Sequence, residues 1–340
     1  MSDYLKFWNV AQPIFNYPPA SEVYIPQHQM RDINRLRVFC EQGSSVMAII
    51  GPSGQGKTTL ARWLRQTLKP ATHEILMVSL YQNEATAGWL LPKLASFLGV
   101  ETEIKDRPLI EQVALGIEEI ASEQRKFLIL VDDADRLTTP LAFEEVVTLV
   151  SMQRAATPCA TFVLLGDENL EVTLQRTPHL KSRLVLKARL KPLSLDESLE
   201  YMAFRLRITG LSSQVLPRDA AVIIARHAGG IFSMIDTLAE NCLIEAFITG
   251  QHAITPPLVS QVIELMAQEG AGLAPTPPEL PQAAPRRPRA EGETSTAPMP
   301  HIPSPVSHQT LDFGADRATR IGEAPQSGQG TIQHDALKKI

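Results

Sequence analysis

Eight consecutive residues have the types and spacing of a phosphate-binding loop. They match the pattern GxxxxGK[ST] without a gap and are Gly51, Pro52, Ser53, Gly54, Gln55, Gly56, Lys57 and Thr58. The glycines let the backbone turn its N–H groups toward an anion, and the helix expected after the loop points its positive end at the same anion. We predict that this loop, continued by Thr59, binds a nucleoside triphosphate, with ATP as the expected ligand.

The two side chains that close the motif have separate predicted tasks. The ammonium group of Lys57 should reach the β- and γ-phosphates, and the hydroxyl of Thr58 should bind Mg²⁺. The context supports this interpretation, since the apolar stretch Met47–Ile50 precedes the loop and the helical stretch Thr59–Leu64 follows it.

A pair of carboxylates follows the apolar stretch Phe127–Val131 and forms the second candidate site. Such a strand would carry Asp132 and Asp133 to the carboxyl edge of a sheet, beside the phosphate loop. We expect Asp132 to hold Mg²⁺, directly or through water, and Asp133 to orient or deprotonate the attacking water. The alternative is an ordinary turn, because turns favour aspartate.

Two further residues are candidates for contact with phosphate. Asp167 follows the predicted strand Thr161–Leu165, where a polar side chain could sense the γ-phosphate, although a helix N-cap fits equally well. Arg183 precedes the last predicted strand and could stabilise transition-state charge in a neighbouring subunit of a homo-oligomer. A solvated arginine or a local ion pair is its alternative.

Strands and helices alternate along most of the chain, which predicts a three-layer α/β domain with a parallel sheet. The predicted strands are Val46–Ile50, Ile75–Leu80, Phe127–Asp132, Thr161–Leu165 and Leu184–Leu190. The predicted helices are Gln29–Glu41, Lys57–Leu68, Ala85–Leu98, Ile110–Gln124 and Pro140–Arg154. After Pro192 only helical patterns follow, which indicates a small all-helical lid domain made of Leu195–Ile208, Arg218–His227, Ile231–Thr249 and Thr255–Met266.

Composition sets the domain borders. We divide the chain into an N-terminal segment (1–27), an α/β nucleotide-binding domain (28–191), a helical lid (192–268) and a tail (269–340). The tail is rich in proline, alanine, serine and threonine and holds few large apolar residues, so we expect it to be disordered. It could still dock on a protein partner.

Charge and cysteine usage narrow the function classes. The net charge of −5 gives no global reason to expect nucleic-acid binding. Three cysteines without a CxxC spacing argue against a disulfide framework or a zinc site, which leaves Mg²⁺ as the expected metal. We see neither a signal peptide nor an apolar run long enough to span a membrane, so we expect a soluble, cytoplasmic protein.

These motifs together place the chain among the AAA+ ATPases, and it resembles the ExeA/GspA-type ATPases of general secretion over residues 3–266. The residues that carry the resemblance are Tyr4–Trp8, Gln12–Phe15, Val23–His28, the phosphate loop, Leu130–Leu137, Phe162–Leu170, Leu190–Leu193 and Tyr201–Leu206. The resemblance implies ATP hydrolysis by a motor or switch that serves a secretion or surface-assembly system. It also implies a homo-oligomer that binds a protein partner, which could hold it at a membrane.

Two departures from the family pattern bear on catalysis. The family usually has glutamate where this chain has Asp133, whose carboxylate stands one methylene further from the water. Its sensor 2 position usually holds arginine, and here it holds Ser233. Both changes point to slow turnover. Two alternatives therefore stay open: a nucleotide switch with very slow hydrolysis, and an ATP-dependent DNA-binding regulator like the related transposition ATPases.

Overall fold

A computed structural model describes residues 3–15, 22–43, 45–80, 88–100, 107–152 and 160–268. All of these residues belong to one compact unit. The predicted tail, residues 269–340, lies outside the described residues, and the predicted domain borders stay predictions. None of the described helices has the length and hydropathy needed to cross a bilayer.

In the part of the chain that the structure describes, five parallel strands form a single sheet in the order β2-β3-β4-β1-β5. The strands are β1 (Ser45–Ile50), β2 (His73–Ser79), β3 (Lys126–Asp132), β4 (Ala160–Gly166) and β5 (Leu184–Arg189). Every predicted strand is present, and each predicted end lies within two residues of the observed one. The expectation of a parallel α/β sheet is therefore confirmed.

Alternating side chains of the central strands enter two different cores, one on each face of the sheet. In β3, Phe127 and Ile129 pack into one core while Leu128 and Leu130 pack into the other. Successive side chains of a strand point to opposite faces, so a strand covered by helices on both sides must be apolar throughout. This burial explains why the sequences of β3 and β4 lack the polar alternation of a surface strand.

Helices cover both faces of the sheet. The helices around the sheet are α2 (Met30–Gln42), α3 (Lys57–Thr67), α4 (Leu90–Leu98), α5 (Leu109–Ser122), α6 (Glu144–Met152), α7 (Glu168–Gln175) and α8 (Pro178–Lys181), and α1 (Asp3–Trp8) precedes them in the chain and packs elsewhere. Helices α2 and α3 supply Leu36 and Leu64 to one core, and α4 to α6 supply Leu94, Val113 and Val146 to the other. The result is the predicted three-layer arrangement.

Two predicted helices begin later than expected. The pattern over Ala85–Leu98 predicted a helix from residue 85, but α4 begins at Leu90; residues 85–87 lie outside the described part. Gly88 has φ +87°, which a right-handed helix cannot accommodate. The pattern from Pro140 begins as a short 3-10 helix over Pro140–Phe143 and becomes α-helical only at Glu144.

Four helices follow the sheet and form the predicted lid: α9 (Leu195–Thr209), α10 (Arg218–Ala228), α11 (Phe232–Ile248) and α12 (Pro256–Gln268). A capping box fixes the start of α9, where the Ser194 hydroxyl and the Glu197 carboxylate accept from each other's backbone N–H groups. Gly210 and Gly229 end α9 and α10 in the left-handed conformation that glycine adopts without strain.

The N-terminal segment packs on the lid, although it precedes the α/β part in the chain. Trp8, Val10, Ile14 and Phe15 are buried in the lid's own hydrophobic core. The helix α1 was not predicted from the sequence, because its six residues are too few to show a helical period.

Candidate functional site

The phosphate loop leaves the carboxyl end of β1 and ends where α3 begins. The Gly51 N–H donates to the Gly166 carbonyl at 3.0 Å, which ties the start of the loop to the end of β4. Gly54 and Gly56 have φ values of +77° and +81°, in the left-handed region where a side chain would be strained. Gly56 is the N-cap of α3, so the unpaired N–H groups of the helix's first turn belong to this loop.

Lys57, the lysine of the motif, folds back over the loop. Its Nζ donates to the carbonyl oxygens of Gly51 at 2.8 Å and Pro52 at 3.0 Å. These two oxygens occupy the kind of position that phosphate oxygens would take around an ammonium group. The cation is thus held in the loop and ready to exchange carbonyl partners for anionic ones.

Thr58 and Asp132 meet although they come from different motifs. The Thr58 hydroxyl donates to Asp132 Oδ2 at 2.7 Å, and the other carboxylate oxygen accepts from the Asp133 N–H at 3.2 Å. Asp132 is 4% exposed. A hydroxyl and a carboxylate at this distance are oxygen donors of the kind Mg²⁺ uses together with phosphate oxygens and water, so these residues fit the predicted metal.

Asp133 stands at the mouth of the site. Its φ of +55° places it in the left-handed region, which aspartate tolerates better than most residues. Its side chain is 49% exposed and lines a cavity beside the loop, with Arg136 Nε at 4.0 Å from one carboxylate oxygen. The position suits a group that must contact solvent water, whereas the buried Asp132 does not.

Asp167 caps a helix in this structure. Its carboxylate accepts from the Asn169 N–H at 2.8 Å and holds the start of α7, which is the alternative that the sequence left open. Asp167 does not line the cavity among the described residues. Its own N–H donates to Asp135 Oδ1 at 3.3 Å; burial and then the charge of Asp167 raise the pKa of Asp135.

Arg183 lies at the amino end of the strands, whereas the loop lies at their carboxyl end. Its carbonyl accepts from the N–H of Val46 at the start of β1, whereas the loop follows the end of β1. The guanidinium is exposed and donates to Ser151 Oγ at 3.2 Å. One β-strand, roughly 17 Å for five residues, therefore separates Arg183 from the loop of its own chain.

A cavity of about 320 Å³ opens beside the loop. Most of its lining residues come from three segments that are far apart in the sequence. The N-terminal segment supplies Glu22–Pro26, the loop supplies Ser53–Thr59, and the lid supplies Tyr201, Phe204, Arg205, Phe232, Ser233 and Asp236. The volume and the mixed apolar and polar walls suit a small-molecule ligand larger than a phosphate alone.

Aromatic side chains cluster at the lid end of this cavity. The ring of Tyr24 lies 5.6 Å from that of Tyr201 and 5.7 Å from that of Phe204, and Tyr201 meets Phe232 edge to face at 4.7 Å. Such faces are suited to packing against a planar base. The sequence pointed to the segments Val23–His28 and Tyr201–Leu206 only through the resemblance, and no sequence signal singled out Phe232.

A buried polar cluster supports this wall from the lid side. Arg205 is 1% exposed and donates through Nε and Nη2 to the carbonyl of Ile14, and through Nη1 to the Tyr201 hydroxyl. The Tyr201 hydroxyl donates in turn to Asp236 at 2.7 Å. Burial raises the pKa of Asp236 to about 6, although the nearby Arg205 charge opposes the change. Sequence patterns gave no sign of this cluster.

Comparisons with known proteins show what the fold and the site are similar to. The AAA domain profile matches residues 40–174, which include the loop and both acidic strand ends. The ORC2 protein of Aeropyrum pernix, solved as ADPNP–ADP complexes, has a TM-score of 0.60 at 19% identity, over 77% of this chain and 75% of that one. Cdc6p from Pyrobaculum aerophilum has a TM-score of 0.57 at 17% identity, over 72% and 70%. Residues 40–174 thus match the AAA domain family, and the fold is similar to that of ORC2 and Cdc6p.

The chain also resembles the ExeA/GspA type, as predicted. General secretion pathway protein A of Aeromonas hydrophila is 27% identical to it over 281 residues, which cover 79% of this chain. The chain spans about half the length of that curated relative, 49%.

Proposed function

We propose that the protein binds ATP with Mg²⁺ and hydrolyses it, as a cytoplasmic motor or switch of a secretion or surface-assembly system. The observation that carries the proposal is the single constellation of Lys57, Thr58 and Asp132 at the edge of a cavity large enough for a nucleotide. Lys57 supplies a cation for phosphate, and Thr58 and Asp132 supply two oxygen ligands for a divalent metal. This combination favours binding of a nucleoside triphosphate with Mg²⁺ over other anions.

Each residue of the loop has one task in this proposal. The backbone N–H groups around Gly54–Thr58 bind phosphate oxygens, and Lys57 exchanges its two carbonyl partners for the β- and γ-phosphates. Thr58 and Asp132 hold Mg²⁺, which supplies neutralisation of phosphate charge when it is bound. Asp133 accepts a proton from, or orients, the water that attacks the γ-phosphate.

The walls of the cavity bind the adenine base of the nucleotide in this proposal. The aromatic rings of Tyr24, Tyr201 and Phe232 line the same cavity as the loop residues Ser53–Thr59. The lid therefore contributes to binding as well as the loop, and a change in the lid would change the affinity for the nucleotide.

The secretion role is supported by the resemblance to general secretion pathway protein A. We propose that the protein works as a homo-oligomer in which Arg183 reaches a neighbour's nucleotide. We also propose that a protein partner, bound in part through residues 269–340, holds the oligomer at a membrane. The similarity to ORC2 and Cdc6p is one of fold at low identity, so it does not support the DNA-binding alternative.

A nucleotide switch with very slow hydrolysis is the second candidate. Two features favour it. The solvent-exposed carboxylate beside the loop belongs to the short side chain of Asp133, and Ser233, which the resemblance puts at the sensor 2 position, brings no charge to the cavity. Ser233 instead donates its backbone N–H to the Gly54 carbonyl at 3.1 Å.

Phosphate release by the purified full chain tests the proposal. We expect Mg²⁺-dependent turnover that Lys57→Ala abolishes, together with loss of binding of a fluorescent ATP analogue. Lys69→Ala, an exposed lysine just beyond α3, is the matched control and should behave as wild type. Turnover above about one per minute would reject the switch. Failure of the wild-type protein to bind ATP would reject both candidates.

A further inference from the structure

Gln55, in the middle of the phosphate loop, turns its side chain toward the lid. The residue is 2% exposed, although glutamine is usually found at protein surfaces. Its Nε2 donates to the Lys191 carbonyl at 2.9 Å and to the Gly230 carbonyl at 3.3 Å. Because both partners are acceptors, only the amide nitrogen can face them, which fixes the orientation of the amide. One loop side chain thus bonds the segments that lead into α9 and α11.

The carbonyl of Gly230 is a fixed point of the lid. It also accepts from the Leu193 N–H at 2.9 Å, and a Cβ built on Gly230 would lie 2.1 Å from the Leu193 carbonyl oxygen. Gly230 has φ +77° as well, so other residues are excluded there by space and by conformation. Gln55 therefore holds a part of the lid that cannot shift without moving α11.

A second contact joins the loop and the lid directly. The Ser233 N–H donates to the Gly54 carbonyl at 3.1 Å, and a Cβ on Gly54 would lie 2.0 Å from Ser233 Oγ. The first turn of α11 thus rests on the loop backbone with no room for an added side chain. Any rearrangement of the loop at residues 54 and 55 must move this turn.

The arrangement leaves one polar atom unsatisfied. Gln55 Oε1 is buried and has no hydrogen-bond partner in the described part of the chain. A buried acceptor without a donor destabilises the arrangement that leaves it unpaired. Lys57, two residues away, also holds carbonyl oxygens that a bound triphosphate would replace. Binding of a triphosphate would therefore change the hydrogen bonds of the loop at Lys57, and the hydrogen bonds from Gln55 to the lid would change with them.

We propose that Gln55 is the positioning residue that makes the lid follow the occupancy of the phosphate loop. Through Gly230 it sets the place of α11, and with it Phe232 and Asp236, over the cavity. The inference rests on the proposed function, because it requires a nucleotide on the loop. Gln55 itself takes no part in the chemistry.

Gln55→Leu tests the link by removing both hydrogen bonds at nearly constant size. We expect kcat to fall about tenfold, because the lid no longer follows the loop when both hydrogen bonds are lost. Hydrogen exchange of the amides at 231–236 reports the lid directly and does not depend on turnover. A non-hydrolysable ATP analogue should slow this exchange in the wild type and leave it nearly unchanged in Gln55→Leu.

Gln55→Glu gives a signature that a merely structural role would not produce. Its carboxylate would face two carbonyl oxygens and repel them, whereas the protonated carboxyl can donate to one of them. In this variant we expect the ATP analogue to have no effect on amide exchange at 231–236 at pH 8. At pH 5.5 the analogue should again slow this exchange, as it does in the wild type at the same pH. Gln55→Leu should show no such recovery.

The controls separate this inference from the proposed function. Gln66 is exposed on α3, so Gln66→Leu and Gln66→Glu should behave as wild type at both pH values. If the wild type does not bind the ATP analogue, the proposed function fails. If it binds while both Gln55 variants keep turnover and lid exchange within about twofold of wild type, the inference is overturned and the proposed function stands. Should Gln55→Leu fail to fold, the pH response of Gln55→Glu decides.

Discussion

The Thr58 hydroxyl donates a 2.7 Å hydrogen bond to Asp132 Oδ2, and 74 positions of sequence separate the two residues. Thr58 lies in the first turn of α3, directly after the phosphate loop, and Asp132 ends the strand β3. The contact brings the two motifs that carry the nucleotide chemistry into a single site. Four predictions follow from this site and from the groups around it.

Thr58→Val should weaken ATP binding in Mg²⁺ and leave binding in EDTA almost unchanged. The substitution removes one Mg²⁺ ligand but keeps the loop N–H groups and Lys57. A lost hydrogen bond or ligand to a charged group, about 1.5–3 kcal/mol, predicts a loss of about tenfold to a hundredfold. Titration of a fluorescent ATP analogue in both buffers measures it.

The exposed Thr67 on the same helix supplies the control, since Thr67→Val removes a hydroxyl that donates only to the Trp63 carbonyl in this structure. Equal losses in Mg²⁺ and in EDTA for Thr58→Val would show that the hydroxyl acts on the loop itself and not on a metal.

Asp133→Asn should keep nucleotide binding and lose turnover by a factor of about 10²–10⁴, which is the usual contribution of a general base. Asparagine also tolerates the left-handed conformation at φ +55°, so the backbone should not change. Phosphate release and analogue binding, measured on the same sample, check both halves. Turnover that stays within about threefold of wild type would exclude Asp133 as the base.

Arg183→Ala should bind ATP as the wild type does and fail only where subunits meet. Arg183 lies beside the start of β1, whereas the loop of its own chain follows the end of β1. The guanidinium could therefore contact only a nucleotide that is bound to a neighbouring chain. We expect wild-type turnover per chain to rise with protein concentration and the variant's to stay flat. Ser151→Ala is the control, because it removes the local hydrogen-bond acceptor of Arg183 and keeps the charge. Identical concentration curves for Arg183→Ala and wild type would remove the proposed role.

The strands and the loop could be predicted because their causes are local. A run such as Phe127–Val131 is apolar throughout because helices cover both of its faces, and the motif Gly51–Thr58 is contiguous. The predicted start of α4 at residue 85 was too early. The helical pattern in the sequence includes Gly88, whose positive φ excludes a helix at that position.

The walls of the cavity could not be predicted, because they depend on contacts between distant segments. Tyr24, Tyr201 and Phe232 meet only after the lid has packed against the N-terminal segment. Asp236 carries no motif at all, and the structure alone shows its burial beside Arg205. For Asp167 the sequence left two roles equally open, and the structure shows the N-cap.

Asp236 should make stability depend on pH between about pH 4 and pH 6. Burial raises its folded-state pKa to about 6, above the unfolded value of about 3.9. The folded state therefore binds this proton more tightly, and the stabilisation present below pH 4 is lost as the pH rises through 6. The two pKa values predict a loss of about 3 kcal/mol.

The difference in unfolding free energy between wild type and Asp236→Asn isolates this contribution, because Arg205, Tyr201 and Glu240 remain in both proteins. Urea titrations without nucleotide at pH 4 and pH 7 should show the difference shifting against the wild type by about 3 kcal/mol. A difference that is the same at both pH values would contradict the assignment.

The docking of residues 3–15 on the lid has a consequence for protein synthesis. The buried carboxylate of Glu240 accepts from the Tyr4 hydroxyl and from the Phe15 N–H, across 236 and 225 positions of sequence. At ribosomal rates Glu240 emerges on the order of ten seconds or more after residues 3–15. During that interval Trp8, Ile14 and Phe15 have no lid to cover them, so the nascent chain exposes an apolar segment that chaperones could bind. This segment leaves the ribosome long before the helices that bury it.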